Sequence, residues 1–375
     1  MRKTTYFACS VLLWLLWAAT AFGQMGSPVT IHGFGGWAYG RTDNENRYLA
    51  GTQDGAYDEA GFSLNLTAKP YESLTLHVQT SYEEDRDERI AGLDYAFADW
   101  SFTDALSLRV GKVKAPFMLA TEVYDVGTIR PFFFLPQGVY QEFAAEAYKG
   151  VGITGAFIFN KGWELMYDLY GGKLDLQPST LMNLQTGRLE TLQIILTDML
   201  GGRILVRTPL DGLAIGLSPY SGAGKFKIDD QYVPDSPFED RYTLLGTSAE
   251  YLSDRWWLRG EYLTEQSSSK IDMRIGYAEA AYALTEHWQI AARYEKVDLN
   301  IADTQNSPNT LFEHEETALG LNYWATPNLV FKLSYHSVKG NRFAIPETAQ
   351  GYLTAYQAGF DETTNLVVLG VQFSF

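Results

Sequence analysis

The chain has 375 residues, a formal net charge of −16 and a single cysteine, Cys9. The negative charge argues against a nucleic acid partner, because phosphate binding requires clustered Lys and Arg. Since the cysteine lies in the N-terminal segment, the rest of the chain can form neither a disulfide nor a cysteine–metal site.

Residues 1–23 have the pattern of an export signal. Two basic residues precede an apolar run, and small residues end it. We expect cleavage near Gly23–Gln24, with cleavage after Ala21 as the alternative. An uncleaved anchor helix is the rival interpretation, but the run is short for a span of about 20 residues. The remaining 24–375 shows no linker and is predicted to form one domain.

Apolar and polar residues alternate with a period of two along nearly all of 24–375, and turn residues bound each stretch. In 329–336, for example, large apolar residues at odd positions alternate with mostly polar residues at even positions. The alternation predicts these sixteen strands: 29–40, 58–69, 72–83, 89–102, 105–113, 149–159, 162–172, 199–208, 212–223, 240–252, 255–266, 271–284, 286–298, 312–325, 328–339 and 363–375.

The fold predicted from these strands is all-β, a 16-stranded antiparallel transmembrane β-barrel. Sixteen strands enclose a lumen too wide for side chains to fill, so the polar faces must point inward and the apolar faces toward lipid. Short connections alternate with long ones, as they do between the periplasmic and outer ends of such barrels. Two members of the long series, 84–88 and 267–270, are nevertheless short. The terminal Phe375 resembles the assembly signal of outer-membrane barrels, and the many aromatic residues suit interfacial girdles.

The segment 173–198 is the hardest to assign. Its apolar part, Leu189–Leu196, either extends a strand or forms a small amphipathic piece. We treat the whole segment as a connection.

The third outer connection, 114–148, is the longest. Its Pro and Gly residues break regular structure, and its aromatic residues make it more apolar than a solvated loop. A long apolar segment must bury itself, so we expect it to fold inward and narrow the barrel. An external lid or a contact between barrels is the alternative.

A block within this region resembles a known family. The residues 109–117, RVGKVKAPF, followed by Asp125, Arg130-Pro-Phe and Leu135-Pro-Gln, look like the signature of the phosphate-selective porin O and P family. The resemblance implies a homotrimer of 16-stranded outer-membrane porins whose third loop enters the lumen. Met118 departs from the pattern, because such sequences usually have Gly after Pro-Phe.

The predicted inward faces carry both signs of charge. Acidic residues on these faces are Asp94, Asp168, Glu250, Glu261 and Glu295. The cations predicted to line the lumen and the constriction are Arg109, Lys112, Lys114, Arg130, Arg203, Arg207, Arg259, Arg293 and Lys332.

These charges predict a water-filled channel for passive diffusion of small hydrophilic solutes, anionic or neutral. Arginine holds carboxylate or phosphate well, so we expect a weak anion preference. A general non-selective porin is the alternative. The expected partners are outer-membrane lipid and lipopolysaccharide, which acidic outer loops would contact through divalent cations.

No catalytic, metal-binding or cofactor site is predicted. Gly150–Gly155 matches a dinucleotide fingerprint, but the match lies within an alternating strand with no helix after it. His314 stands among glutamates without a second histidine nearby in the sequence. An outer-membrane barrel enzyme is the remaining alternative, and it would need a serine and a histidine on one face at the same depth.

Overall fold

The computed structural model describes residues 29–85, 88–123, 126–141, 147–176, 178–183, 186–234, 240–267, 271–301 and 308–375. The predicted export signal, 1–23, lies outside these residues. None of the helices in the described ranges has the length and apolarity needed to cross a membrane.

Sixteen long antiparallel strands, counted over the described residues, form a closed barrel. The first strand closes it by pairing with both the second and the last, so that Phe34 lies opposite Ser63 and Ser374. In chain order the strands are β1 (Val29–Thr42), β2 (Ala56–Tyr71), β3 (Leu74–Asp85), β4 (Glu88–Thr103), β5 (Leu106–Lys114), β6 (Ala147–Phe159), β7 (Trp163–Asp175), β8 (Arg188–Arg207), β9 (Leu213–Ile228), β10 (Arg241–Leu252), β11 (Trp256–Ser267), β12 (Ile271–Ala283), β13 (Trp288–Ile301), β14 (Glu313–Thr326), β15 (Leu329–Lys339) and β16 (Thr363–Ser374).

The predicted number of strands is confirmed, and the largest error lies in β8. This strand begins at Arg188, whereas the prediction began it at 199. Its pairing shifts register between Thr197 and Leu200, where Asp198 adopts a positive φ of 49°. An extra residue at such a bulge reverses the alternation, which hid the first half of the strand. A short strand, Ser179–Asn183, pairs back onto this half.

The strands turn their apolar faces outward. In β15, Phe331, Leu333 and Tyr335 are 44–46% exposed, whereas Lys332 between them is 2% exposed. This is the reverse of a soluble barrel and is the pattern of strands that face lipid. Aromatic residues flank the short connections as an interfacial girdle would require, and the most exposed of them are Tyr71, Trp100, Phe102, Phe159, Trp163, Trp256 and Trp288.

The first and last outer connections pack together. Asn46–Arg47 pairs with Ile345–Pro346 as a two-residue antiparallel bridge. Between them Tyr48 is buried and donates a hydrogen bond to Glu316 of β14. The described outer connections contain two α-helices, α1 (Gln137–Tyr140) in the third and α2 (Ala349–Ala358) in the last. They also contain two 3-10 helices, Gly127–Ile129 and Asn309–Phe312.

Candidate pore constriction

The third outer connection lies against the buried faces of the strands. In its described parts, 115–123 and 126–141, Phe117, Met118 and Phe132 are 1% exposed. These faces lie opposite those that carry the exposed apolar residues. We call 115–141 the constriction segment, and the hydrogen bonds below show which strands hold it.

Glu261 of β11 holds the beginning and the end of the constriction segment together. Its carboxylate accepts hydrogen bonds from the backbone N–H of Leu119 (2.7 Å) and from the hydroxyl of Tyr140. A third bond comes from the hydroxyl of Tyr277 on β12 (2.6 Å). A buried carboxylate that accepts several hydrogen bonds is stabilised as an anchor for the groups that donate them.

Glu295 of β13 holds helix α1. Its carboxylate accepts the backbone N–H groups of Gln137 (3.0 Å) and Gly138 (2.7 Å), which have no partner within the helix. Glycine is required at 138, because a Cβ there would lie 2.5 Å from Cγ2 of Val297 and 2.8 Å from Cγ2 of Ile275. The backbone therefore approaches the wall more closely than any other residue would allow.

Two buried cations hold the middle of the constriction segment. Arg293 of β13 donates to the carbonyl of Phe134 (2.8 Å), and its guanidinium lies 4.7 Å from the ring centroid of Phe132. The Lys332 ammonium of β15 donates to the carbonyls of Gly127 (2.7 Å), Arg130 (2.6 Å) and Phe132 (3.2 Å). Both side chains act on the protein backbone, so neither is placed to contact a passing solute.

Arg293 also belongs to a buried network of charges. It pairs with Glu316 of β14 (2.8 Å) and with Glu279 of β12 (3.6 Å), and the Arg293 and Glu316 side chains are fully buried. Nδ1 of His336 lies 3.3 Å from Glu316, and its Nε2 lies 2.8 Å from Oγ of Ser334. Ser334, His336 and Glu316 thus stand in the order of a hydrolase triad, which the sequence analysis did not find.

On the other side of the constriction segment a cavity of about 200 Å³ lies between parts of the segment and β1–β4. Phe133 and Phe134 line the cavity from the segment. The charged residues around it are Glu59 of β2, Glu83 of β3, Asp94 of β4 and Arg130 of the segment. Of the predicted cations, only Arg130 lines this cavity.

Arg109 and Arg203 form a second, partly exposed cluster with three acids. Arg109 pairs with Asp99 of β4 (2.9 Å), and Arg203 pairs with Asp168 of β7 (2.9 Å). Both arginines also reach Glu122 of the constriction segment, Arg109 at 3.6 Å. The side chains are 23% and 12% exposed, respectively. They lie near water, but each already has carboxylate partners.

The other predicted cations lie apart from these two groups. Arg259 pairs with Glu250 beside Trp257, and Arg207 pairs with Glu164 at the short-connection end of the barrel. Lys114 is buried, with its ammonium 5.3 Å from the ring centroid of Tyr95.

Lys112 stands apart in another way. It lies two residues from Val110, which is 44% exposed, and donates to the carbonyl of Leu93. By strand alternation this is the outward side, so the structure separates Lys112 from the lumen cations that the sequence grouped with it.

Most of the acidic partners were not predicted from the sequence. Glu316 lies on the inward face of a correctly predicted strand, so alternation alone could have found it. In β4 the bulge at Asp94 reverses the faces before Asp99, and the inward face of β12 that carries Glu279 is mostly apolar. Glu122 lies in an irregular segment and carries no such signal. Glu59 shares the polar positions of Ser63 and Asn65 in a correctly predicted strand, so alternation could have found it as well.

Among known proteins, the chain matches solved structures by its fold and matches no sequence family. No family model matches the sequence, and no curated protein matches it. Among solved structures, Salmonella typhi OmpF in complex with daunomycin matches with a TM-score of 0.60 and 14% identity, over 93% of this chain and 98% of that chain.

Two further structures match at a similar level. In-vitro folded OmpT, an outer membrane protein of Vibrio cholerae in its trimer form, matches with a TM-score of 0.55 and 11% identity over 93% of this chain and 99% of that one. An anion-selective porin from Comamonas acidovorans matches with a TM-score of 0.55 and 13% identity, over 93% and 100%. At these identities the likeness shows the fold, the 16-stranded barrel of porins.

Proposed function

We propose that this chain is an outer-membrane porin through which small hydrophilic solutes diffuse passively. The observation that carries the proposal is the one-sided placement of the constriction segment. It is hydrogen-bonded to β9, β11 and β13–β15, while a cavity with charged walls remains between it and β1–β4. A segment held in this way narrows a lumen without filling it, which sets the size of the solutes that pass.

Charge selectivity is where the geometry departs from the sequence-based expectation. A weak anion preference needs cations that a solute can reach. Seven of the predicted cations instead contact carboxylates or backbone carbonyls of the protein: Arg109, Lys112, Arg203, Arg207, Arg259, Arg293 and Lys332. General diffusion without anion preference is therefore the better-supported form of the proposal.

Anion preference is the second candidate, with phosphate or carboxylate-bearing solutes as its substrates. The 109–117 block favours it, since it resembles phosphate-selective porins, and so does the fold shared with the anion-selective porin from Comamonas acidovorans. Arg109 and Arg203 are the residues through which it would act.

One observation favours the alternative of a barrel enzyme: Ser334, His336 and Glu316 are arranged in the order of a hydrolase triad. Ser334 is 5% exposed, and the other two are fully buried. Arg293 and Tyr48 also hydrogen-bond to the Glu316 carboxylate, so it does not serve the histidine alone. A nucleophile without access to substrate does not carry catalysis. We propose a structural role for this triad, and a fluorophosphonate probe should leave Ser334 unlabelled in the folded barrel.

Location and assembly belong to the same proposal. We infer export by the 1–23 signal, insertion in the outer membrane beside lipopolysaccharide, and assembly as a homotrimer. The trimer form of the similar Vibrio cholerae protein supports the last point. Native mass spectrometry of the detergent-solubilised protein would test it, and a monomer would contradict it.

Planar-bilayer recording is the direct test of the channel. The purified barrel should produce discrete conductance steps in potassium chloride, and reversal potential under a salt gradient should give the sign of selectivity. A barrel that folds and inserts but produces no steps would contradict the porin proposal. A clear anion preference would favour the second candidate.

A further inference from the structure

The cavity beside the constriction segment has a charge pattern of its own. Its wall side carries the carboxylates of Glu59, Glu83 and Asp94, and its segment side carries the guanidinium of Arg130. The lining residues therefore bear a formal excess of negative charge. This excess is the sum of the formal charges of these four side chains and does not depend on how they pair among themselves.

The acids occupy one face of three successive strands. Glu59 lies opposite Ala38, which is fully buried, and Gly61 on the same face lies opposite Glu83. Asp94 enters the same surface through a bulge in the pairing of β3 with β4. It is 8% exposed and accepts a hydrogen bond from Nε2 of Gln79 (3.1 Å), so it is built into the wall.

We propose that this cavity is the selective part of the passage and that it favours solutes carrying an ammonium group. The inference rests on the proposed porin function and reverses the sign of charge preference expected from the sequence. A solute with one ammonium and one carboxylate would place its ammonium toward the wall acids and its carboxylate toward Arg130, which can bind a carboxylate bidentately. A dianion would meet three carboxylates and one cation.

The expected size of the effect follows from Coulomb's law. A unit charge about 6 Å from a monovalent ion in water changes the concentration of that ion by about threefold. Salt screens this interaction over about 10 Å at 0.1 M, so measurements belong at or below that concentration. We expect a potassium-to-chloride permeability ratio above one, falling about threefold when Glu59 or Glu83 is neutralised.

Single variants Glu59→Gln and Glu83→Gln test the placement, with Glu313→Gln as the matched control. Glu313 begins β14 and is exposed on the outward side. The permeability ratio should fall in both wall variants and stay unchanged in the control. Each variant is checked for folding by the heat-induced shift of the barrel on gels. The two wall residues are changed in separate variants. If one variant fails to fold, the permeability ratio of the other still tests the proposal.

Solute selectivity is measured with three compounds that share a four-carbon chain: putrescine, 4-aminobutyrate and succinate. Uptake into proteoliposomes should decrease in that order. Arg130→Gln should slow 4-aminobutyrate and speed putrescine, because the carboxylate loses its partner while the wall is unchanged.

The outcomes separate the two proposals. If no conductance or uptake occurs, the porin function itself fails. If the channel conducts but is anion-selective, or if cation preference persists unchanged in Glu59→Gln and Glu83→Gln, the porin function stands and the ammonium selectivity is overturned.

Discussion

The two sides of the barrel use charge in opposite ways. On β13–β15, Arg293, Glu316 and Lys332 are almost completely buried and their partners belong to the protein. On β2–β4, charged side chains surround an open cavity. Charges on the first side fix the position of the constriction segment, and charges on the second side line the cavity. An inward-facing charge therefore predicts a pore-lining role only where the segment does not cover it.

The largest expected effect comes from Arg293→Met, which tests whether the buried side is structural. Removing one partner of a buried ion pair costs about 3–5 kcal/mol, because Glu316 would remain buried without its guanidinium. Urea unfolding in lipid vesicles, followed by tryptophan fluorescence, should show this loss of stability.

Arg274→Met is the matched control, since Arg274 is a 62% exposed arginine on an outward strand face. Its effect should stay within about 0.5 kcal/mol. Equal stability of the two variants would contradict the structural role of the buried charges on β13–β15.

Lys332→Met should have the next largest effect on stability, and it should also change the conductance of the pore. The substitution leaves the carbonyls of Gly127, Arg130 and Phe132 without their donor, and each buried unsatisfied group costs about 1–3 kcal/mol. We expect the middle of the constriction segment to loosen and single-channel conductance to become larger and noisier. Lys339→Met changes an exposed lysine on the opposite face of the same strand and should leave conductance unchanged. Wild-type conductance in Lys332→Met would mean that the segment does not limit the pore.

The barrel itself was predictable from the sequence because lipid imposes a strict rule. Residues such as Leu333 that face the hydrocarbon of the bilayer must be apolar, so alternation survives in nearly all strands. It failed in β8, where the bulge at Asp198 reverses the faces within one strand.

The role of each inward charge was not predictable in the same way. Lys332 and Arg130 are both predicted from the sequence to line the pore, yet one is buried beneath the constriction segment and the other lines the cavity. Which of them a solute can reach depends on the path of an irregular segment with no period of its own. Alternation fixes the direction of a side chain and leaves open what covers it.

Gly138→Ala tests the close contact between the constriction segment and the barrel wall. Its added methyl group would collide with Val297 and Ile275, so helix α1 must move away from the wall. Overpacking of this kind costs about 1–3 kcal/mol. We expect lower stability together with an altered conductance. Gly92→Ala is the matched control, because a Cβ at Gly92 would meet no atom within 4 Å. If Gly138→Ala is as neutral as Gly92→Ala, the close approach at Glu295 does not hold the helix.

Arg203→Gln should have the smallest effect. The Arg203 side chain is 12% exposed, whereas that of Arg293 is fully buried. The Arg203 partner Glu122 is 30% exposed, and the buried Asp168 keeps Arg109 at 4.0 Å, so we expect a stability loss of about 1 kcal/mol. Loss of one lumen cation should move the reversal potential slightly toward cation preference. Lys112→Gln removes a charge on the outward side and should not move it. A large shift in Arg203→Gln, from anion preference in the wild type to none, would assign selectivity to the arginine cluster. The wall acids would then have no role in selectivity, and the anion preference expected from the sequence would be correct.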